Sequence, residues 1–327
     1  MAARQRHRYL KENHIQIQGR NALSFAPAEI PPFDPVWNGG VPFSYQSPDG
    51  LTLAGREWRP RQSAPSVEKI PVLCLPGLSR NTRDFRDIAA FLQKQGHHVV
   101  ALDYRGRGES AWDDDWRNYA LPIEEKDIDA AIEKLGLSRF AILGTSRGGL
   151  HALAMARRYT PDRLAAVIFN DIGPHIEMRA IHRIAATLGR NMSYSSMTDV
   201  AQSLRQLLGM QFPVFSEADW LKLASQLASG HEGKVVLDYD PALAHQFASL
   251  DDAAPVPDLW PLYDAVKDRP VLIIRGSQSD LLSEETANRM VETHPNAELH
   301  SVQGQGHAPV LWEPETHKRI AGFLNRI

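Results

Sequence analysis

The sequence has a single cysteine, Cys74, in 327 residues, so no internal disulfide can staple it. That usage suits a reducing compartment, and a cytoplasmic location is expected. Cys74 lies in the apolar run PVLCLPG, where a lone cysteine serves as a small buried hydrophobe rather than a reactive thiol. Long apolar runs are also missing. None approaches the ~18 residues a bilayer span needs, so no membrane span is expected. The basic N-terminus, MAARQRHRYLKENHIQIQGR, has no uninterrupted apolar core and does not read as a secretory signal. An excess of one charge is absent as well: 36 basic residues face 39 acidic ones, a formal charge of −3. Such a balance supplies no global field to draw nucleic acid or anionic lipid, and no nucleic-acid partner is expected. Internal repeats and low-complexity segments are lacking too.

What remains is an ordinary globular composition, 43% hydrophobic and 23% charged. Residues 1–41 carry prolines at 27, 31, 32 and 35 and read as an irregular arm lying over the domain. PFSYQSPDGLTLAGREW then reads as two strands joined at Ser47-Pro48-Asp49-Gly50, which is strong turn chemistry. From there apolar runs alternate with amphipathic stretches. IPVLCLPG, HHVVALDY, FAILGTS and LAAVIFND read as buried strands; RDFRDIAAFLQKQG, PIEEKDIDAAIEKLG and RGGLHALAMARRY read as helices. Continuous apolar strands between helices imply an α/β fold, a mostly parallel, doubly wound sheet covered on both faces. The rhythm stops near Asp171 and resumes with DLWPLYDAVK, PVLIIRGSQSD, SEETANRMVETH, AELHSVQG and PETHKRIAGFLNRI. The expected organisation is a core of residues 42–172 and 258–327, with residues 173–257 as a helical cap inserted after the sixth strand.

Within FAILGTSRGGL, Gly144-Thr145-Ser146-Arg147-Gly148 matches the G-x-S-x-G elbow. The pattern alone is weak, but here it follows a strand and opens a helix, as its mechanics require. Small neighbours are needed for strand and helix to close on a strained serine; a helix cap, the alternative role for Ser146, needs no flanking glycines. A serine hydroxyl needs a base held by a third group. His307, in the Gly-rich loop of VQGQGHAPVLWEPE after the last strand, is the expected base. His97 and His98 begin a strand and belong at the opposite end of the sheet, and His151 belongs to the helix after the elbow. For the orienting acid, Asp280 in RGSQSDLLSEE is expected, as a loop residue ahead of the Ser283 N-cap; Asp171, ending VIFND, is its rival. The N–H groups of Arg147 and of Leu78, in LPGLSRN, are the expected oxyanion donors.

These segments resemble an α/β-hydrolase fold protein with a helical cap. The resemblance runs from about residue 42 to the end and rests on LPGLSRN, LDYRGRGES, GTSRGG, NDIGP, GSQSDLLS and GQGHAP, in family order. It implies Ser146 as nucleophile, Asp280 as acid, His307 as base and the amides of Leu78 and Arg147 as oxyanion hole. It also implies that Asp103–Ser110 is a structural loop beside the site. Two positions depart from the family pattern. Pro76-Gly77 stands where many relatives have His-Gly, and Arg147 stands where Leu, Met or Gln is common. The Arg147 guanidinium either binds a substrate carboxylate or pairs with an acid of core or cap.

A serine nucleophile sets aside the carboxylate-dependent dehalogenase and epoxide-hydrolase branches. Hydrolysis of a small-molecule ester or lactone through an acyl-enzyme is expected, by a monomer or homodimer and with no metal or other cofactor. WDDDW (112–116) reads as a solvated loop, since three consecutive acids cannot face one centre. Carbon–carbon hydrolysis of a dienoate-type diketone, perhydrolysis or cofactor-free oxygenation, and a non-catalytic binding module are the alternatives. In the cap, Met178, Ile181, Met192, Tyr194, Met197, Phe212, Phe215 and Trp220 line a pocket or form the cap's own core. Among them Met178, Tyr194 and Phe212, with Trp112 and Arg147, are the candidate substrate contacts.

Overall fold

A computed structural model describes residues 38–60, 69–190, 192–231, 233–248 and 257–327. The arm expected over residues 1–41 therefore lies almost wholly outside the described residues. Strands β1 (Val41–Gln46) and β2 (Thr52–Trp58) form the antiparallel hairpin that the Ser47–Gly50 turn predicts. Ser47 O accepts from Gly50 N at 3.0 Å. Then come β3 (Val72–Leu75), helix α1 (Arg86–Lys94), β4 (Val99–Asp103), α2 (Leu121–Lys134), β5 (Phe140–Thr145), α3 (Arg147–Ala156) and β6 (Leu164–Asn170).

The segment after β6 departs in part from the expected helical cap. It carries α4 (Met178–Thr187), α5 (Met197–Leu208) and α6 (Glu217–Leu227), but also β7 (Ser193–Tyr194), β8 (Ala228–His231) and β9 (Lys234–Leu237). These strands form a small antiparallel sheet in the order β7-β9-β8. Runs of two to four residues are too short to display an alternation that sequence periodicity can register. The chain returns through α7 (Trp260–Asp264), β10 (Val271–Gly276), α8 (Glu284–Glu292), β11 (Ala297–Val302) and α9 (Pro314–Leu324).

The main sheet has eight strands in the order β1-β2-β4-β3-β5-β6-β10-β11. Apart from β2, which runs antiparallel to both β1 and β4, its pairings are parallel. Strict alternation explains why its central strands are largely apolar. In β10, Val271 and Ile273 join one hydrophobic cluster while Leu272 and Ile274 join the other. In β3, Leu73 and Leu75 point one way, and Val72 and Cys74 the other. With successive side chains on opposite faces, a strand covered on both sides keeps polar residues to its carboxyl end. Cys74 is fully buried, and that burial pushes its thiol pKa up, so it stays an inert hydrophobe at neutral pH. Among the described residues, no helix is long and apolar enough to cross a membrane.

In a parallel sheet of this kind, the loops at the carboxyl ends of the strands converge on one edge. The loops after β3, β5, β6, β10 and β11 bring together the residues below.

Candidate active site

The turn from β5 into α3 places Ser146 at φ 51°, ψ −113°, in the left-handed half of the map where a side chain is strained. The Ser146 side chain makes no cap hydrogen bond to α3, so the capping alternative does not describe it. The glycines around it answer to close approach. A Cβ on Gly148 would stand 2.0 Å from Leu75 O, and one on Gly144 would stand 2.5 Å from Gly148 C. Backbone cannot yield at those distances, so strand β3, strand β5 and helix α3 can meet only through glycine.

His307 Nε2 stands 2.9 Å from Ser146 Oγ, and its Nδ1 stands 2.9 Å from Asp171 Oδ2. A carboxylate only accepts, so Nδ1 carries the proton it donates to Asp171, and the Nε2 lone pair is left to accept from the serine hydroxyl. The imidazole is mostly enclosed, with 8% of its side chain exposed. Its loop is anchored at both ends: Asn170 Nδ2 donates to Pro309 O at 2.9 Å, and Gln278 N donates to Gln305 O at 2.8 Å. From the insert, Gln211 Oε1 accepts from His307 N at 3.2 Å.

The acid beside His307 is the rival, not the residue preferred from the sequence. Asp171, at the end of β6, is fully buried and held by three donors. Gly276 N gives 2.9 Å to Oδ1; Ser279 Oγ gives 2.6 Å to Oδ2, which also receives the imidazole. Asp280 instead accepts a bidentate pair from Arg183 of α4, at 2.7 and 2.9 Å. Burial alone would raise the Asp280 pKa, but the Arg183 hydrogen bonds outweigh it and hold the carboxyl below its ordinary value. A loop position leaves a carboxylate free to reach the histidine only when no other cation holds it. A cation from the insert has claimed it.

Leu78 lines the cavity over Ser146, and its loop passes close to the serine. A Cβ on Gly77 would stand 3.8 Å from Ser146 Cβ. The Leu78 carbonyl accepts from Arg107 Nε at 2.7 Å, and Tyr104 OH donates to Pro76 O at 3.2 Å. The Asp103–Ser110 stretch thus buttresses that loop. The Arg147 N–H opens α3, where first-turn amides have no intrahelical acceptor.

The Arg147 side chain does not line the cavity over Ser146. Its Nε donates to Glu124 Oε2 at 2.7 Å and its Nη2 to Tyr119 O at 2.6 Å, both buried contacts. His151 Nε2 shares the same carboxylate oxygen at 3.0 Å. Of the two readings of Arg147, the ion pair to a core acid describes the side chain.

A cavity of about 430 Å³ opens over Ser146 and His307 and is walled by core and insert alike. Tyr194 and Phe212 line it; Trp112 and Met178 do not. Trp112 is instead buried in the core. Phe212, Phe215 and Trp220 also pack on one another and on Trp312, so most of the insert's aromatics form its own core. The acidic run is only partly solvated: Asp113 accepts from the buried Arg105 at 2.8 Å, while Asp115 caps the short 3₁₀ turn Trp116–Tyr119. Arg80, Arg183 and Arg190 also line the cavity, and in the sequence nothing separates them from surface cations.

A family profile described as "alpha/beta hydrolase fold" matches residues 70–314. The chain belongs to the α/β-hydrolase fold family. Among its curated relatives is a 3-hydroxybutyrate-oligomer hydrolase of Cupriavidus necator, 31% identical over 276 residues, which span 82% of this chain and 91% of that protein. Another is a 2-(acetamidomethylene)succinate hydrolase of Mesorhizobium japonicum, 26% identical over 78% of this chain and 87% of that one. Among solved structures, an α/β hydrolase from Novosphingobium aromaticivorans superposes with a TM-score of 0.81 at 35% identity, covering 88% of this chain and 99% of that one. This α/β hydrolase has the expected mostly parallel sheet, and the C. necator and M. japonicum relatives are hydrolases of different substrates.

Proposed function

We propose that this α/β hydrolase cleaves a carboxylic ester through an acyl-enzyme formed on Ser146. The observation that carries the reading is the continuous hydrogen-bonded line Ser146–His307–Asp171, with both steps at 2.9 Å. His307 Nε2 takes the hydroxyl proton as Oγ bonds to the substrate carbonyl carbon, and the N–H groups of Arg147 and Leu78 receive the oxyanion. As the intermediate collapses, the imidazolium returns that proton to the departing alcohol. Water then repeats the cycle with His307 as base, releasing the acid and freeing Ser146. Asp171 keeps the imidazole in the required tautomer and offsets its charge when it is protonated.

An ester fits the mostly apolar cavity above the serine, where Leu204, Leu208 and Phe212 of the insert face the reacting groups. The C. necator relative, named for an oligomer of 3-hydroxybutyrate, adds support, since hydroxy acids condense through ester linkages. The insert serves as lid and selector, and the whole site works without metal or cofactor.

The test is covalent labelling. A fluorophosphonate is expected to add to wild-type protein at the peptide bearing Ser146, with no labelling of Ser146→Ala or His307→Ala. Attachment elsewhere, or none, would sink the reading. An ester and lactone panel run beside a dienoate-type diketone then identifies the bond.

A further inference from the structure

Three guanidinium groups line the cavity, from Arg80, Arg183 and Arg190. Two are neutralised where they stand. Arg80 makes a two-point pair with Asp84, itself a lining residue, at 2.7 and 2.6 Å. Arg183 makes one with Asp280 at 2.7 and 2.9 Å. Arg190 has no carboxylate within ion-pair distance among the described residues, and it directly follows a closely packed turn. Gly189 turns the chain at φ +75°, and a Cβ there would stand 2.9 Å from Pro241 O and 3.0 Å from the Ala244 Cβ. Gly189 N donates to Tyr239 OH at 3.0 Å, and Arg190 N donates to Thr187 O at 3.3 Å. Among the described residues the pocket thus carries one guanidinium with no carboxylate partner, on an exposed residue that follows a closely packed turn, above largely apolar walls.

We infer that Arg190 reads a carboxylate on the substrate: the ester cleaved at Ser146 is monoanionic, with an aliphatic body in the apolar pocket and its acid group at the rim. A planar guanidinium receives a carboxylate through two parallel N–H···O bonds, which gives orientation as well as attraction. The inference rests on the ester-hydrolase reading and adds to it the class of substrate.

Two substrate pairs test it and locate the acid. The p-nitrophenyl monoester of glutaric acid is compared with p-nitrophenyl butanoate for a carboxylate on the acyl side. The second pair, 4-carboxyphenyl butanoate and phenyl butanoate, places it on the alcohol side. For each pair the readout is the ratio of kcat/KM, acidic over neutral. Arg190→Gln is expected to lower that ratio about two- to fivefold in one pair, mainly through KM, as fits a rim-exposed charge pair. Arg190→Lys is expected to recover part of the loss, and added salt to shrink the wild-type preference. Ratios unchanged in both pairs, in an enzyme that labels at Ser146 and turns over esters, overturn the inference alone. Absence of labelling and of turnover overturns the ester reading, and this inference with it.

Discussion

Asp171→Asn is expected to lower kcat about 10⁴-fold, the scale seen when a serine hydrolase loses the carboxylate that sets its histidine tautomer. Asp171 accepts from three donors at once, His307 Nδ1–H, Gly276 N–H and Ser279 O–H. An asparagine there must turn its NH₂ toward at least one of them. If it meets Nδ1–H, the imidazole proton moves to Nε2, and the serine hydroxyl loses its acceptor. If it meets Gly276 N–H, a buried donor is left without a partner beside the site, which costs about 1–3 kcal/mol. Asp280→Asn removes only the pair to Arg183, whose two side chains are 27% and 22% exposed, and should cost less than tenfold. Steady-state kinetics on one p-nitrophenyl ester, with circular dichroism to verify folding, decides between the two carboxylates. A larger loss from Asp280→Asn would reverse the assignment.

The second large effect concerns stability. Glu124 lies fully buried between Arg147, His151 and Arg107. Arg107 Nη1 lies 2.8 Å from Oε1 as an ion pair too bent to count as a hydrogen bond. Glu124→Gln leaves two buried guanidinium groups without their anion, a loss of about 3–5 kcal/mol, set against a total stability of about 5–15 kcal/mol for a folded domain. Urea unfolding at pH 7 measures it, and a difference under about 1 kcal/mol would refute the account.

The pH dependence carries a definite sign. Burial pushes the Glu124 carboxyl up, but Arg107, Arg147 and His151 prevail and hold it well below the usual carboxylate range. A folded pKa below the unfolded one, about 4.3, means that the stabilisation is fully present above that value. It is lost as pH falls toward the folded pKa. Wild type should therefore show a steeper acid-side decline below about pH 4.3 than Glu124→Gln, which has no such carboxyl to protonate.

The elements that could be read along the chain are those whose cause is local. Ser146 is legible because a strained turn between strand and helix demands glycine on both sides, and those glycines stand within a few residues of it. His307 is legible because its loop directly follows the last strand. The alternating strands and helices are legible because burial on both faces demands continuous apolar runs. The short strands β7–β9 are not, since neither length nor alternation marks them.

Asp171 and Asp280 follow two adjacent, parallel strands, β6 and β10. Neighbouring strands lie only about 4.8 Å apart, so both carboxylates emerge at the same edge within reach of one imidazole. Chain order alone left that choice open. It was decided by Ser279 and Gly276 converging on Asp171, and by Arg183 crossing from the insert to take Asp280. Arg147 was settled in the same way, by a glutamate 23 residues earlier on another helix. The order of residues was enough to specify the sheet, the elbow and the histidine, because each follows from short-range geometry and the burial of apolar faces. Only the tertiary structure assigned the charged side chains to their partners, because an ion pair depends on distance in space and leaves no periodic trace along the chain.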